Sequence, residues 1–520
     1  MSLRYPISRI RHFRCQLREL LAAVAGPSIQ IFDAGTGSLL SSWPPASYLR
    51  PLDSDISPDR ASSADTCAEP PEKRRKLTPP VNESGEAQTE QSAKAKARRS
   101  ETAEQAWSTI PILVISGTGD HIVAVTGEDK CLRVFEVKQD GKLTQLTERC
   151  MPKRPCAISL TPDNNTILCG DKFGDVYSLP LLPRDEVVLP LRKAAESSKP
   201  FQPSATKLTV HTQRNLKALE QQLRTPRAAQ EKLEPSFQHR LLLGHVSMLT
   251  DLILAPVPSD SSTSPRLYII TSDRDEHIRV SRGPSQAHII HGYCLGHTSF
   301  VSKLCIPPWD PRSLISGGGD NCIICWDWLA GRVAQTISLV HDGDVAESTK
   351  AQPPQSDAPD IAVSGIYAIP FSGNPGLTEH ARGGILVALE GVSRLLAFSF
   401  GTNGRLTALA PIELSGNALD VVALDDRGTI LVSVDNVHKP GSTKELRDSA
   451  IGPKLLQCFS ARSDGGLKWE ESSTQAATTI NSRETVDIIA ETESRKQVQK
   501  ISDSLYGIGN LRKWARGEDG

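Results

Sequence analysis

Long apolar runs are missing from these 520 residues. Without a stretch of 18 consecutive apolar residues, no membrane-spanning helix is expected. The opening MSLRYPISRIRHFRCQLREL has no continuous apolar block either, so a secretory leader is not expected. Charge of one sign is absent in the sum: 59 Lys+Arg stand against 60 Asp+Glu, a net of −1. That excludes a polycation wrapped around nucleic acid and an acidic-tail protein, and leaves room for local basic patches. Apolar residues reach 38%, below the usual ~45–50%, as a good core diluted by polar insertions would give. The eleven cysteines follow no framework; in an intracellular chain they read as reduced, mostly buried thiols. Catalytic signatures are missing too. There is no GxxxxGK[ST] loop, no GxGxxG opening a helix, no GxSxG elbow and no HExxH pair. GTGD (117–120) and GGGD (317–320) only precede strand turns.

What the chain does have is turn chemistry, with 37 Gly and 36 Pro, and repetition. Four segments fit one ruler: Asp129-KCLRV-Phe135, Asp171-KFGDV-Tyr177, Asp275-EHIRV-Ser281 and Asp320-NCIIC-Trp326. Each follows a short apolar stretch and small residues, the pattern of strand, tight turn, strand. The Asp can accept hydrogen bonds from the turn it opens. The next strand alternates, with Leu132 and Val134 on one face and Arg133 and Phe135 on the other. Gly244-His245 and Gly296-His297 precede the third and fourth units, and Trp326-Asp327 closes the fourth. Gly-His and Trp-Asp at the two ends of a ~40–45-residue repeat resemble a WD-repeat blade. In that pattern His245, His297, Asp129, Asp171, Asp320 and Trp326 belong to a structural hydrogen-bonded network.

The expected fold is therefore all-β, a seven-bladed WD-repeat β-propeller with disordered insertions. IQIFDAGTG (29–37) reads as the last strand and exit turn of a first blade within 1–40. Residues 41–106, with eight prolines, read as a disordered insert. Blades two and three fall in 107–182, followed by a basic insert over 183–240 in which NLKALEQQL predicts a short helix. Blades four to seven fall in 241–469, with 341–358 a polar loop. Residues 470–520 read as a polar tail ending in LYGIGNLRK.

Candidate sites are few. Cys322 and Cys325 form a CxxC, but residues three apart on a strand point to opposite faces, so no metal site is expected. The densest polar cluster is SDRDEHIR (272–279), read as a charged hairpin end at a propeller rim, with Asp275 as its turn residue. Arg279 has the phase of Arg133, Asp175 and Ile324. A guanidinium there needs a carboxylate, in this chain or another. Lys73, Arg74, Arg75 and Lys76, followed by Lys94, Lys96, Arg98 and Arg99, suit a nuclear import signal, and a nuclear location is expected. Lys153, Arg154 and Lys172 are candidates for a phosphate backbone, without the interleaved aromatics that base stacking needs.

At DKFGDVY (171–177), LLLGHVSMLTD (241–251), SDRDEHIRVS (272–281), YCLGHTSFVS (293–302), LISGGGDNCIICWDW (314–328) and LYGIGNLRK (505–513), the chain resembles a known family. It is the non-catalytic WD-repeat subunit of eukaryotic tRNA (guanine-N7-)-methyltransferase, in a fungal form. The resemblance is specific over about 171–330 and holds elsewhere only in outline. It implies a chain that binds no cofactor and performs no chemistry. A separate catalytic subunit would bind S-adenosylmethionine and methylate guanine 46 of the tRNA variable loop. This chain would dock that subunit as a heterodimer and hold it active. It places Arg279 opposite acids of the partner, with Asp273, Arg274, Asp275 and His277 supporting the rim. Two other readings stand beside it: a general WD adaptor in a chromatin or ubiquitin-ligase complex, and an enzyme working through the Asp/Glu/His rim.

Overall fold

In a computed structural model the described residues are 3–44, 107–183, 209–210, 212–224, 237–258, 265–339, 361–378, 381–447, 454–463, 467–483, 488–489 and 494–513. The import-like run at 73–76 and most of the insertions lie outside them. Seven antiparallel sheets, six of four strands and one of five, form the blades of a propeller. Their first strands, Ile7–Cys15, Ile112–Ile115, Pro155–Leu160, Leu249–Val257, Val301–Cys305, Val363–Pro370 and Ala418–Ala423, adjoin one another around the axis.

Blades pack face to face, so their second strands are covered on both sides. This is why Arg18–Ala25 (RELLAAVA) and Gly383–Leu389 (GGILVAL) are almost continuously apolar and buried, while the outermost Arg332–Ser338 is mostly exposed. Each of the seven blade interfaces has its own apolar cluster. Leu132 and Val134 face blade three beside Ile167 and Cys169. Phe135, on the opposite face, meets Ile29 and Ile31 of blade one.

At the level of the fold, the structure differs from the sequence expectations in four places. Ser28–Asp33 is the third strand of blade one, and Leu39–Trp43 completes it; a strand buried on both faces gives no alternation from which to count its position. The 183–240 insert interrupts blade three, whose fourth strand, Arg240–Gly244, follows it; the helix expected in that insert is Gln213–Arg224. The stretch read as a polar tail holds the last strand of blade seven, Lys468–Ser472, and two helices, Gln475–Ser482 and Ser494–Leu505. Finally, Cys131 and Cys150 are not free thiols. They sit directly opposite on paired strands and are joined as a disulfide. The other eight described cysteines are free, and burial raises the thiols of Cys169, Cys305 and Cys325 to about 12, which leaves them unreactive.

Every blade is built from consecutive strands, so among the described residues blades seven and one exchange no strand at the seam between them, and the two chain ends meet in a separate two-residue ladder, Leu3–Arg4 with Ile488–Ile489. Packing closes the ring there: Ile7, Ile10, Leu21 and Phe32 meet Leu431, Leu456 and Cys458, with Ala476, Ala477 and Ile480 of the first C-terminal helix. Polar contacts reinforce the seam. Asp420 accepts from Ile10 N at 2.9 Å and from Arg11 at 2.6 Å. Arg4 donates to the carbonyls of Ile480 at 3.0 Å and Asn481 at 2.8 Å, capping that helix.

Candidate functional site

The turns joining second to third strands, and the links between blades, open on one face of the ring, here the upper face. Blade five shows what such a turn needs. Trp326 Nε1 donates to Ser316 Oγ at 2.7 Å, which lies 2.7 Å from His297 Nε2. His297 Nδ1 is 2.5 Å from Asp320, and Asp320 also accepts from Thr298 N at 3.0 Å. Burial would raise the Asp320 carboxyl, but His297 and Thr298 hold it below its usual range. Its stabilisation is therefore complete above the ordinary aspartate value of 3.8 and lost as pH falls through the lower folded value. Unfolding followed from about pH 6 to 2 should show stability falling at the acid end, and Asp320→Asn should flatten that fall.

Blade four departs from this pattern. His245 Nε2 lies 2.8 Å from Thr271 Oγ1, but the turn acceptor is Asp273, not Asp275. Asp273 Oδ1 accepts from the amides of Asp275 at 2.9 Å and His277 at 3.0 Å. Asp171 does the same for Phe173 at 2.8 Å and Asp175 at 3.2 Å. Asp171 thus corresponds to Asp273, two residues earlier than the ruler placed it. By cross-strand register, Arg279 (opposite Thr271) matches Arg133, Tyr177 and Ile324, not Asp175. In blade two Asp129 holds the amide of Cys131 at 3.1 Å and Arg133 at 2.9 Å.

The register puts Ser281 where blade five has Trp326. In blade five the indole packs on Gly296. In blade four no indole covers Gly244, whose open side meets Asp175 Oδ1, and Arg279 donates to Gly244 O at 3.1 Å and Ser281 Oγ at 3.0 Å. No carboxylate lies within ion-pair distance of Arg279 among the described residues. Burial draws its pKa down, against the pull of Tyr293. Tyr293, directly opposite Arg279 on the next strand, is exposed, as are Val246, two residues beyond Gly244, and Leu295, two beyond Tyr293.

The other rim residues are engaged within the chain. Asp273 is buried, and although burial would raise its carboxyl, His245 and the His277 amide hold it low. Arg274 donates to the carbonyls of Leu511 at 2.7 Å and Arg512 at 3.4 Å. Asp275 lies 3.0 Å from Lys513. His277 keeps half its side chain exposed. Asp273, the buried carboxyl of this rim, is thus committed to the turn amides and to His245.

Lys153, Arg154 and Lys172 come together on blade three, all exposed. The Lys172 amide donates to Arg154 O at 3.0 Å. Arg154 reaches Gly127 O of blade two at 3.0 Å, and Lys153 Nζ stands 3.8 Å from the centre of the exposed Phe173 ring. That exposed aromatic beside two lysines was overlooked in the sequence, although it follows Lys172 directly. Cys322 packs toward blade four and Cys325 toward blade six, so the two thiols diverge. The one grouping of three metal-type ligands among the described residues is Cys131, Glu148 and Cys150, and its two sulfurs are bonded to each other.

The fold is that of a WD-repeat β-propeller. Residues 21–459 match the family model described as the tRNA methyltransferase TRM82 WD40 domain. The chain is 98% identical over 520 residues, covering all of both chains, to the tRNA (guanine-N(7)-)-methyltransferase non-catalytic subunit TRM82 of Coccidioides immitis. It is 46% identical over 528 residues to the subunit of the same description in Aspergillus clavatus (100% of this chain, 99% of that one). With that of Sclerotinia sclerotiorum it shares 38% over 531 residues (96% and 97%). The chain belongs to the TRM82 family and is not itself an enzyme.

Proposed function

We propose that this chain is the docking subunit of a heterodimeric tRNA (guanine-N7-)-methyltransferase. It holds a separate catalytic subunit in its active arrangement for N7-methylation of guanine 46 in the variable loop. S-adenosylmethionine belongs to that partner. The observation that carries the reading is Arg279: a partly buried guanidinium with no acid of its own among the described residues, beside the exposed Tyr293. A planar two-pronged cation in that setting matches a carboxylate supplied from outside. The relatives' description as non-catalytic subunits supports the same division of labour. The basic run at 73–76 supports work in the nucleus. Affinity purification of the tagged chain tests the reading. It should recover a methyltransferase and tRNA; recovery of ligase or chromatin partners instead would contradict it.

Lys153, Arg154 and Lys172 are proposed to meet tRNA phosphate from the same upper face. Changing all three to alanine should weaken tRNA binding by the complex. The salt dependence should become shallower by up to ~0.7–0.9 in log–log slope for each phosphate no longer neutralised. An unchanged slope in a salt titration would remove these residues from the RNA surface.

A further inference from the structure

After the helix Ser494–Leu505 the chain crosses the upper face from blade seven to blade four, fixed at three points. On blade seven, the Tyr506 hydroxyl donates to Asp435, which also holds His438 Nδ1 at 2.6 Å. Asn417 donates to that hydroxyl at 2.9 Å. On blade six, Glu390 accepts three successive amides, those of Gly507, Ile508 at 2.8 Å and Gly509 at 2.7 Å. Gly507 has φ +139°, a conformation that side-chain-bearing residues rarely adopt. On blade four, Arg274 takes the carbonyls of Leu511 and Arg512, and Lys513 Nζ lies 3.0 Å from Asp275 and 3.6 Å from Glu276. Between the last two points, Arg512 donates to Ile361 O at 2.9 Å.

The last anchor is on the hairpin that carries Arg279. Asp275 and Glu276 are two acids at the end of that hairpin. An approaching acidic surface would be attracted by Arg279 and repelled by them. Lys513 offsets that repulsion, and the Arg274 contacts hold the turn in one shape. We propose that residues 506–513 are a strap that sets the charge and rigidity of the docking rim. Affinity for an acidic patch on the catalytic subunit is thereby controlled from across the ring. This rests on the docking reading above. The exposed Lys513–Asp275 pair alone contributes little; reversing its sign brings a third negative charge to the rim.

The test measures affinity for the purified catalytic subunit with full-length variants at low salt. Lys513→Glu should bind about tenfold more weakly. Adding Asp275→Asn and Glu276→Gln to that variant should recover most of the loss. Glu390→Gln should raise amide exchange over 507–513, leave the blade strands protected, and weaken binding. Arg279→Ala is measured alongside. If Arg279→Ala binds normally, the docking reading fails. If it binds weakly while Lys513→Glu and Glu390→Gln stay within about twofold of wild type, or if the neutralised rim gives no recovery, the strap inference alone is overturned.

Discussion

Arg279→Ala should weaken binding of the catalytic subunit by about 2–5 kcal/mol, roughly 30-fold to several thousand-fold, and lower methylation in proportion. The propeller itself should survive. Among the described residues Arg279 donates to Ser281 Oγ and Gly244 O, and because the guanidinium is only partly buried, water replaces it at these acceptors, so that the cost to the fold stays below that of breaking a buried ion pair. The loss therefore falls on the complex: a carboxylate of the partner would be left desolvated without its counter-charge. Arg279→Lys should recover only part, because an ammonium cannot give two parallel hydrogen bonds to one carboxylate. Titration of the purified subunits, with thermal unfolding as the control, checks both statements. Unchanged affinity, or collapse of the ring, would contradict them.

The second large effect is expected at the seam. Asp420 is buried, with its side chain 4% exposed, and accepts from Ile10 N and Arg11. Burial alone would lower the Arg11 pKa, but Asp420 and Tyr367 hold it above its ordinary value. Asp420→Ala leaves the buried Ile10 amide without its acceptor and Arg11, whose side chain is 35% exposed, with only Ile10 O and water, at a cost of about 1–3 kcal/mol. Because no blade strand is exchanged between blades seven and one, the only sheet pairing that joins the two ends among the described residues is the two-residue ladder of Leu3–Arg4 with Ile488–Ile489. Denaturant unfolding should show the loss in full. A change below about 1 kcal/mol would mean that apolar packing alone closes the ring.

Local chemistry was legible in the sequence, and distant chemistry was not. The Gly-His pairs, the turn aspartates and Trp326 lie within ~30 residues of the groups they bind, so spacing exposed them. Asp273 and Asp275 were confused because spacing alone does not say which of the two ends the strand and which lies in the turn it opens. Blade one was misplaced because Arg18–Ala25 is buried on both sides and shows no alternation. The strap was invisible for a different reason. Arg274 and Leu511, or Glu390 and Gly509, meet only after the ring has formed, and no periodicity in LYGIGNLRK announces an acceptor more than a hundred residues away. Arg279 was found by its phase with Arg133. That Ser281, which stands at the register position of Trp326, accepts from Arg279 needed the structure.

The central claim is that catalysis belongs to a partner and depends on this platform. The most direct measurement is the N7-methylguanosine content of tRNA from cells with and without the chain, alongside the activity of the purified chain alone. The account predicts near-complete loss of the modified nucleoside in the deletion and no methyl transfer by the isolated chain. Normal levels in the deletion, or methylation by the chain on its own, would contradict it.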